Sequence, residues 1–387
     1  MPLKEILLTP GPSQVPERVR QKLAEPAWYH RSSRFKKLYQ DTRERLQRIF
    51  ETKADVLVFA GSGTVAMEAA LVNAVGKGRK AVVVSGGKWG ERLVEICKAF
   101  ALDAQVIQVE YGQSPTPAQV AEAAQDPAVA AVYIHLCETS TGAKYDVQGI
   151  GAAVRAANPS ALLAVDGISG AVGMACPLDA WGVDLFMAGS QKGLMMPPGL
   201  AMLTVSPKAW SVIEKIQAPA YYASLRKARK PLAEHDTPFT PANTLLAALQ
   251  EALRMIEEEG PRNVLARHAL LAQATRAGVT ALGLELYPAC PAEVLTVLRA
   301  PAGSSSSELV KTARDRYGVT FADGQGDDMK GKILRIAHMG YCSAMDAISG
   351  IAALELTLKA TGTKVKLGAG VAAAQEIIAA APKEVCL

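Results

Sequence analysis

Between Val56 and Val205 the chain alternates short apolar, β-prone runs with segments of helical periodicity. The runs are Val56-Phe59, Ala81-Ser85, Ala104-Val109, Val129-His135, Ala161-Asp166, Asp184-Ala188 and Leu200-Val205. Amphipathic stretches such as Glu91-Phe100, Pro117-Ala124 and Val147-Ala157 lie between several of them. A strand apolar along its whole length is buried on both faces, and strand–helix alternation suits parallel neighbours. The pattern predicts an α/β fold around a mostly parallel, seven-stranded sheet. The last strands follow one another with little helix between them, so one antiparallel edge is expected.

Beyond Asn243 the pattern turns helical, through Leu245-Glu259 and Val264-Leu282. An α+β unit follows: strand Val294-Arg299, helix Ser306-Tyr317, strand Lys332-His338 and helix Ala344-Lys359. At 387 residues the chain is too long for one ordinary domain. Gly260-Pro261 interrupts the helical pattern and marks a boundary. The expected division is an amino-terminal segment 1–16, a large domain 17–259 and a small domain 260–387.

A net charge of +5 and one dense basic run, Arg226-Lys227-Ala228-Arg229-Lys230, read as a solvated face. No aromatic residues interleave with the basic ones to stack bases, so nucleic acid is set aside. Cys97, Cys137, Cys176, Cys290, Cys342 and Cys386 form no Cys-x-x-Cys pair and are expected as reduced, mostly buried thiols. Met1-Pro2-Leu3-Lys4-Glu5 is no signal peptide, and no apolar run reaches membrane-spanning length. Glu384-Val385-Cys386-Leu387 is neither a prenylation box nor a peroxisomal signal, and the expected location is the cytoplasm.

The chemistry-bearing residues cluster at the ends of the apolar runs. Lys192 follows Gly189-Ser190-Gln191 directly after one run, and Asp166 ends the run before it. A lysine amine that forms a Schiff base and a carboxylate that pairs with a pyridinium nitrogen are the needs of a pyridoxal phosphate enzyme. The plainer reading is a solvent-facing loop lysine. Gly61-Ser62-Gly63-Thr64 opens a helix from Val65 to Val75 and offers glycines, hydroxyls and free N–H groups to a phosphate. Gly61-x-Gly63-x-x-Ala66 also fits a dinucleotide fingerprint, but Ser85-Gly86-Gly87-Lys88 lacks the acidic residue that would hold a ribose.

Trp89 can stack on a flat ring or pack as an ordinary tryptophan. The hydroxyls of Thr139, Ser140 and Thr141 can reach a ligand or satisfy their own turn. Arg335 lies in an otherwise apolar strand, where it needs either a substrate carboxylate or an Asp or Glu partner. His135 and His338 read as hydrogen-bonded structural residues, and no metal site is expected.

Over nearly its whole length the chain resembles the class V aminotransferases of fold type I, near the alanine–glyoxylate and serine–pyruvate enzymes. The resemblance rests on Thr9-Pro10-Gly11-Pro12-Ser13, Val15-Pro16, Gly61-Ser62-Gly63-Thr64-x-Ala66-Met67-Glu68-Ala69-Ala70, Trp89-Gly90-Glu91-Arg92 and Glu138-Thr139-Ser140-Thr141-Gly142. It continues in Val165-Asp166-Gly167-Ile168-Ser169, Gly189-Ser190-Gln191-Lys192, Pro197-Pro198-Gly199 and Leu334-Arg335-Ile336.

It implies pyridoxal 5'-phosphate held by Lys192 as an internal aldimine, with Lys192 also the base of the proton shift. It further implies Asp166 at the ring nitrogen, Trp89 and Ile168 on the two ring faces, and Ser140 near the phenolic oxygen. Ser62, Gly63, Thr64 and Gln191 fall at the phosphate. Arg335 takes the substrate carboxylate, with Gly11 beside it.

The family completes its phosphate site from a second subunit, which points to Thr237 or Thr240 in His235-Asp236-Thr237-Pro238-Phe239-Thr240-Pro241 and to a homodimer. Two departures stand out. Ala233 falls near the place of a family tyrosine, and Tyr29-His30-Arg31-Ser32 resembles a stretch of phosphonate-directed branches. There Arg31 meets either a second substrate anion or a salt-bridge partner.

The reaction implied is transfer of an amino group from alanine or serine to glyoxylate or pyruvate. Alternatives are a phosphonate-directed aminotransferase, a lyase or a desulfurase of the same class, then a nicotinamide-dependent dehydrogenase and a non-catalytic subunit. A desulfurase carries a histidine where Gln191 stands and a cysteine on a mobile loop.

Overall fold

The computed structural model describes residues 5–382 and 385. Its large sheet has seven strands: β1 Asp55–Ala60, β2 Lys80–Ser85, β3 Asp103–Gln108, β4 Val129–His135, β5 Leu162–Asp166, β6 Leu185–Gly189 and β7 Leu200–Val205. Their order in space is β1-β7-β6-β5-β4-β2-β3. Every residue of β4, β5, β6 and β7 is buried. Because alternate side chains point to opposite faces, the centre of the sheet is covered on both.

The reversed strand is not at an edge. β7 runs antiparallel to both β1 and β6, one place in from the border, and all other pairs are parallel. No helix separates β6 from β7, so the chain doubles straight back beside β6. The fully apolar β7 is then buried by pairing on its second side with β1. At the other border β3 is largely exposed, against the expectation of an apolar run, because Asp103, Gln105 and Gln108 make up half of it.

Helix α1 (Gly63–Ala74) follows β1 and helix α2 (Lys88–Ala99) follows β2. Both begin two or three residues before their apolar periodicity, because the first turn of each serves a cavity and not the core. Two helices before β1, Glu17–Leu23 and Ser33–Ile49, escaped the sequence reading. The second was legible: Phe35, Tyr39, Thr42 and Leu46 form one buried stripe, and the Ser32 hydroxyl accepts the N–H of Phe35.

Helices Asn243–Glu259 and Pro261–Ala281 meet at Gly260, whose φ of 88° breaks the run. Beyond them β8 (Leu295–Arg299), β9 (Ala322–Asp323) and β10 (Ile333–Ala337) form an antiparallel sheet in the order β8-β10-β9. The short strand Ile6–Leu7 pairs in parallel with Val319–Thr320. One apolar cluster surrounds the large sheet, and a second gathers Leu8, Leu271, Leu298, Phe321, Leu334 and Ile351.

Cys97, Cys137 and Cys342 are buried thiols, Cys176 is half-buried, and Cys290 is exposed, against expectation. Cys386 and residues 1–4 lie outside the described residues. Among the described residues no helix is long and apolar enough to cross a membrane.

Candidate active site

The carboxyl ends of β1, β2, β5 and β6 open on a cavity of about 470 Å³, roofed by the amino-terminal segment and by β9 and β10. A site of this size takes a cofactor-sized ligand. It brings together Gly11, Ser62, Gly63, Thr64, Trp89, Asp166, Ile168, Gln191, Lys192 and Arg335. Ser140, Thr237 and Thr240 do not line it.

Lys192 is buried, just past β6. Its ammonium donates to the carbonyl of Pro10 and lies 5.9 Å from the centre of the Trp89 ring. Burial, reinforced by the positive charge of Arg335, pulls the lysine pKa down to about 8. The solvent-facing reading of this residue is therefore excluded. Its backbone is pinned to the amino-terminal segment: Ser13 Oγ donates to Lys192 O at 2.8 Å and Ser13 N to Gln191 O at 3.0 Å.

Asp166 ends β5 in register with His135 of β4. One carboxylate oxygen accepts the N–H of Ile168 at 2.8 Å, and the other stands 3.6 Å from His135 Nε2. Burial raises the proton affinity of the carboxyl group, with His135 and the Ile168 N–H pulling against it. The expectation for His135 is corrected: neither ring nitrogen has a hydrogen-bond partner. His338 does pair, with the Thr296 hydroxyl at 3.1 Å.

Arg335, from the middle of β10, is 4% exposed. It donates to Asp323 O at 3.0 and 2.7 Å and to Thr139 O at 3.2 Å. No carboxylate pairs with it among the described residues. The Asp323 side chain is occupied by Ser306 Oγ at 2.5 Å and by the N–H groups of Gly324 and Gly331. Burial lowers the guanidinium pKa to about 10. The structural ion pair weighed for this arginine is absent, so a buried cation faces the cavity without an anion.

Ser140 is bonded away from the cavity. Its hydroxyl donates to Glu138 Oε1 at 2.6 Å and accepts the Lys88 N–H at 3.0 Å. Thr141 Oγ1 turns back to Glu138 O at 3.2 Å. The turn is bonded within itself and to the start of α2, and the Ser169 hydroxyl, bonded to Thr139 Oγ1 at 2.8 Å, joins those of Ser62 and Thr64 on the cavity wall. Thr237 and Thr240 lie against Tyr39, Phe59 and Tyr222, away from the cavity of their own chain. Arg31 bridges to Asp236 at 2.7 Å, the salt-bridge reading of that residue.

Arg92 was missed as a site residue. Its guanidinium lies 4.4 Å from the Trp89 ring centre, lines the cavity, and has no acidic partner among the described residues. The signal was its place one helical turn after Trp89.

These residues fit pyridoxal 5'-phosphate. No side chain caps the start of α1 beside Ser62 and Thr64, which leaves helix N–H groups for a phosphate. Gln191 Oε1 and Trp89 Nε1 are buried without partners. The cavity also supplies an aromatic face, a buried carboxylate and an amine of lowered pKa. Fold and cavity together define a pyridoxal 5'-phosphate enzyme of fold type I.

Residues 6–326 match the family aminotransferase class-V, and the chain belongs to it. It is 38% identical to the soluble hydrogenase small subunit of a Synechococcus species, covering 98% of this chain and 99% of that protein. It is 34% identical to the L-aspartate–glyoxylate aminotransferase of Paracoccus denitrificans, over 96% of this chain and 95% of the other. The crystal structure of pyridoxamine–pyruvate aminotransferase from Mesorhizobium loti superposes with a TM-score of 0.91, at 31% identity and 97% coverage of each chain. The nicotinamide reading of Gly61-x-Gly63-x-x-Ala66 falls with this family.

Proposed function

We propose that the enzyme moves the amino group of a small amino acid, alanine or serine, to glyoxylate or pyruvate, as a cytoplasmic homodimer. The observation that carries this reading is Arg335, a buried guanidinium without an anion that shares one cavity with Lys192. Amino acid and 2-oxo acid both bring a carboxylate, which a planar guanidinium binds through two hydrogen bonds.

Bound here, pyridoxal 5'-phosphate supplies an electron sink for the pair released when the substrate Cα–H bond breaks. Lys192 Nζ would take up and return the proton at the substrate Cα, a task suited to an amine with a pKa of about 8. Asp166 would hold the proton at the ring nitrogen. Trp89 and Ile168 would flank the ring, while Ser62, Gly63, Thr64 and Gln191 would hold the phosphate.

Thr237 and Thr240 stand away from their own cavity, which supports their serving the cavity of a second copy. Exposed Tyr221 and half-exposed Tyr222 pack on Phe239 in the same region. The division at Glu259–Gly260 into a large and a small domain belongs to this reading and is supported by the helix break at Gly260 and by a second apolar cluster drawn mostly from residues beyond it. The described cysteines are all free, which supports a reducing compartment.

A second reading has aspartate as donor, its distal carboxylate on Arg92, which lines the cavity without an acidic partner. The near-visible spectrum of the purified protein tests both. The cofactor band should bleach with alanine or serine and return with glyoxylate or pyruvate. Bleaching by aspartate alone would favour the second reading, and indifference to all three would sink both.

A further inference from the structure

Helix α2 carries Trp89 in its first turn, yet its N-cap residue, Gly87, has no side chain to cap it. The first N–H groups of a helix have no acceptors within the helix and must find them elsewhere. All three are met by the turn after β4. Lys88 N donates to Ser140 Oγ at 3.0 Å, and Trp89 N and Gly90 N each donate to Glu138 Oε2 at 3.1 Å. The helix's own bonding begins at Glu91 N, which reaches Gly87 O at 3.0 Å.

The other carboxylate oxygen, Glu138 Oε1, accepts Ser140 N at 3.0 Å and Ser140 Oγ at 2.6 Å. Glu138 is fully buried. It has no cationic side chain as partner among the described residues, so the helix start and the four donors balance its charge. The approach is close enough to require glycine at position 87. A β-carbon there would lie 2.5 Å from both Glu138 Cδ and Ser140 Oγ. From the same turn, Thr139 O holds Arg335 at 3.2 Å.

We propose that Glu138 is a positioning residue for the reaction. Its carboxylate caps α2 from the turn that follows the neighbouring strand β4 and sets the height and tilt of Trp89, the face on which the cofactor ring rests. The proposal depends on the reading that the ring stacks on Trp89. A helix fixed by main-chain bonds to a buried carboxylate holds its first-turn side chain more rigidly than one ending in water. The turn also ties this ring to the arginine that faces the substrate.

The test substitutes Glu138→Gln alone and together with Trp89→Ala. All four groups around the carboxylate are donors, so the amide N–H2 must face N–H or O–H groups. The measurements are the Kd of pyridoxal 5'-phosphate for the cofactor-free protein, by equilibrium dialysis, and the induced circular dichroism of the bound cofactor. We expect Glu138→Gln to weaken binding about tenfold in the native background and to diminish the induced signal, with less than about twofold loss once Trp89 is alanine. Equal losses in both backgrounds would mean Glu138 acts independently of Trp89 and would overturn the proposal. An unchanged Kd in Glu138→Gln, with Trp89→Ala impaired, would overturn it alone. An unchanged Kd in Trp89→Ala would sink the stacking reading and this proposal with it. Should Glu138→Gln fail to fold, Glu138→Asp, which keeps the charge and shortens the reach, is judged by the same comparisons.

Discussion

Gly11 and Lys192 pack so closely that a β-carbon on Gly11 would stand 2.6 Å from Cδ and Cε of the lysine. Gly11 also has a φ of +109°, which side-chain-bearing residues rarely adopt. Gly11→Ala should therefore destabilise the cofactor-free protein by about 1–3 kcal/mol and displace the lysine. A thermal melt and an absorbance titration with pyridoxal 5'-phosphate check the two effects. A variant that binds cofactor as the native protein does would show that the lysine has room to spare.

Arg335 should separate substrate binding from cofactor binding. Arg335→Gln is expected to lower kcat/KM about 10²-fold, mostly through KM, while the cofactor band stays in place. Among the described residues the guanidinium pairs with no carboxylate, so its removal should leave the substrate-free melting temperature unchanged or higher. Stabilisation by added pyruvate should vanish in the variant. A large loss of stability without ligand would instead reveal a structural role.

The titration of Lys192 has a definite sign. With a pKa of about 8, the amine of the cofactor-free protein is charged below that pH and nucleophilic above it. The rate of covalent cofactor capture should rise with pH, with its inflection near 8, and then level off. Arg335 lowers this pKa, so Arg335→Gln should move the inflection upward. Stopped-flow absorbance measures both, and an inflection unmoved by the substitution would contradict the coupling.

Two crippled chains should rescue each other. Lys192→Ala leaves Thr237 and Thr240 intact, and a Thr237→Ala/Thr240→Ala chain keeps the lysine. After mixed refolding, half the dimers should hold one complete site, returning roughly a quarter of native activity. Chains that build their whole site alone would show no recovery.

Much of the site was legible because its residues end local apolar runs. Ser62, Gly63, Asp166, Gln191 and Lys192 each follow or close a strand whose burial is written in a handful of neighbours, and all line one cavity. The partner of Ser140 is not legible in the same way, because a hydroxyl near a strand end has several possible acceptors. Its neighbour Glu138, only two residues away, took it. The reversed strand β7 was recognised as a strand but set at an edge, since sequence carries no record of which strand pairs on its far side. Cys290 was expected among mostly buried thiols, because its exposure depends on what packs around it and not on its immediate neighbours.

By itself the sequence determined the seven strands, the Gly61-Ser62-Gly63-Thr64 turn into a helix, the placing of Asp166 and Lys192 at strand ends and the helix break at Gly260. Periodicity and turn chemistry act over a few residues and need no knowledge of the fold. Tertiary structure alone decided that, among the described residues, Arg335 bonds to carbonyls and pairs with no carboxylate, one of those carbonyls being Thr139 O, 196 residues away. It also decided that α2 takes its cap from Glu138, 49 residues from Trp89. Such bonds depend on how elements dock, and docking is set by the shape and burial of whole faces, which no local stretch of chain encodes.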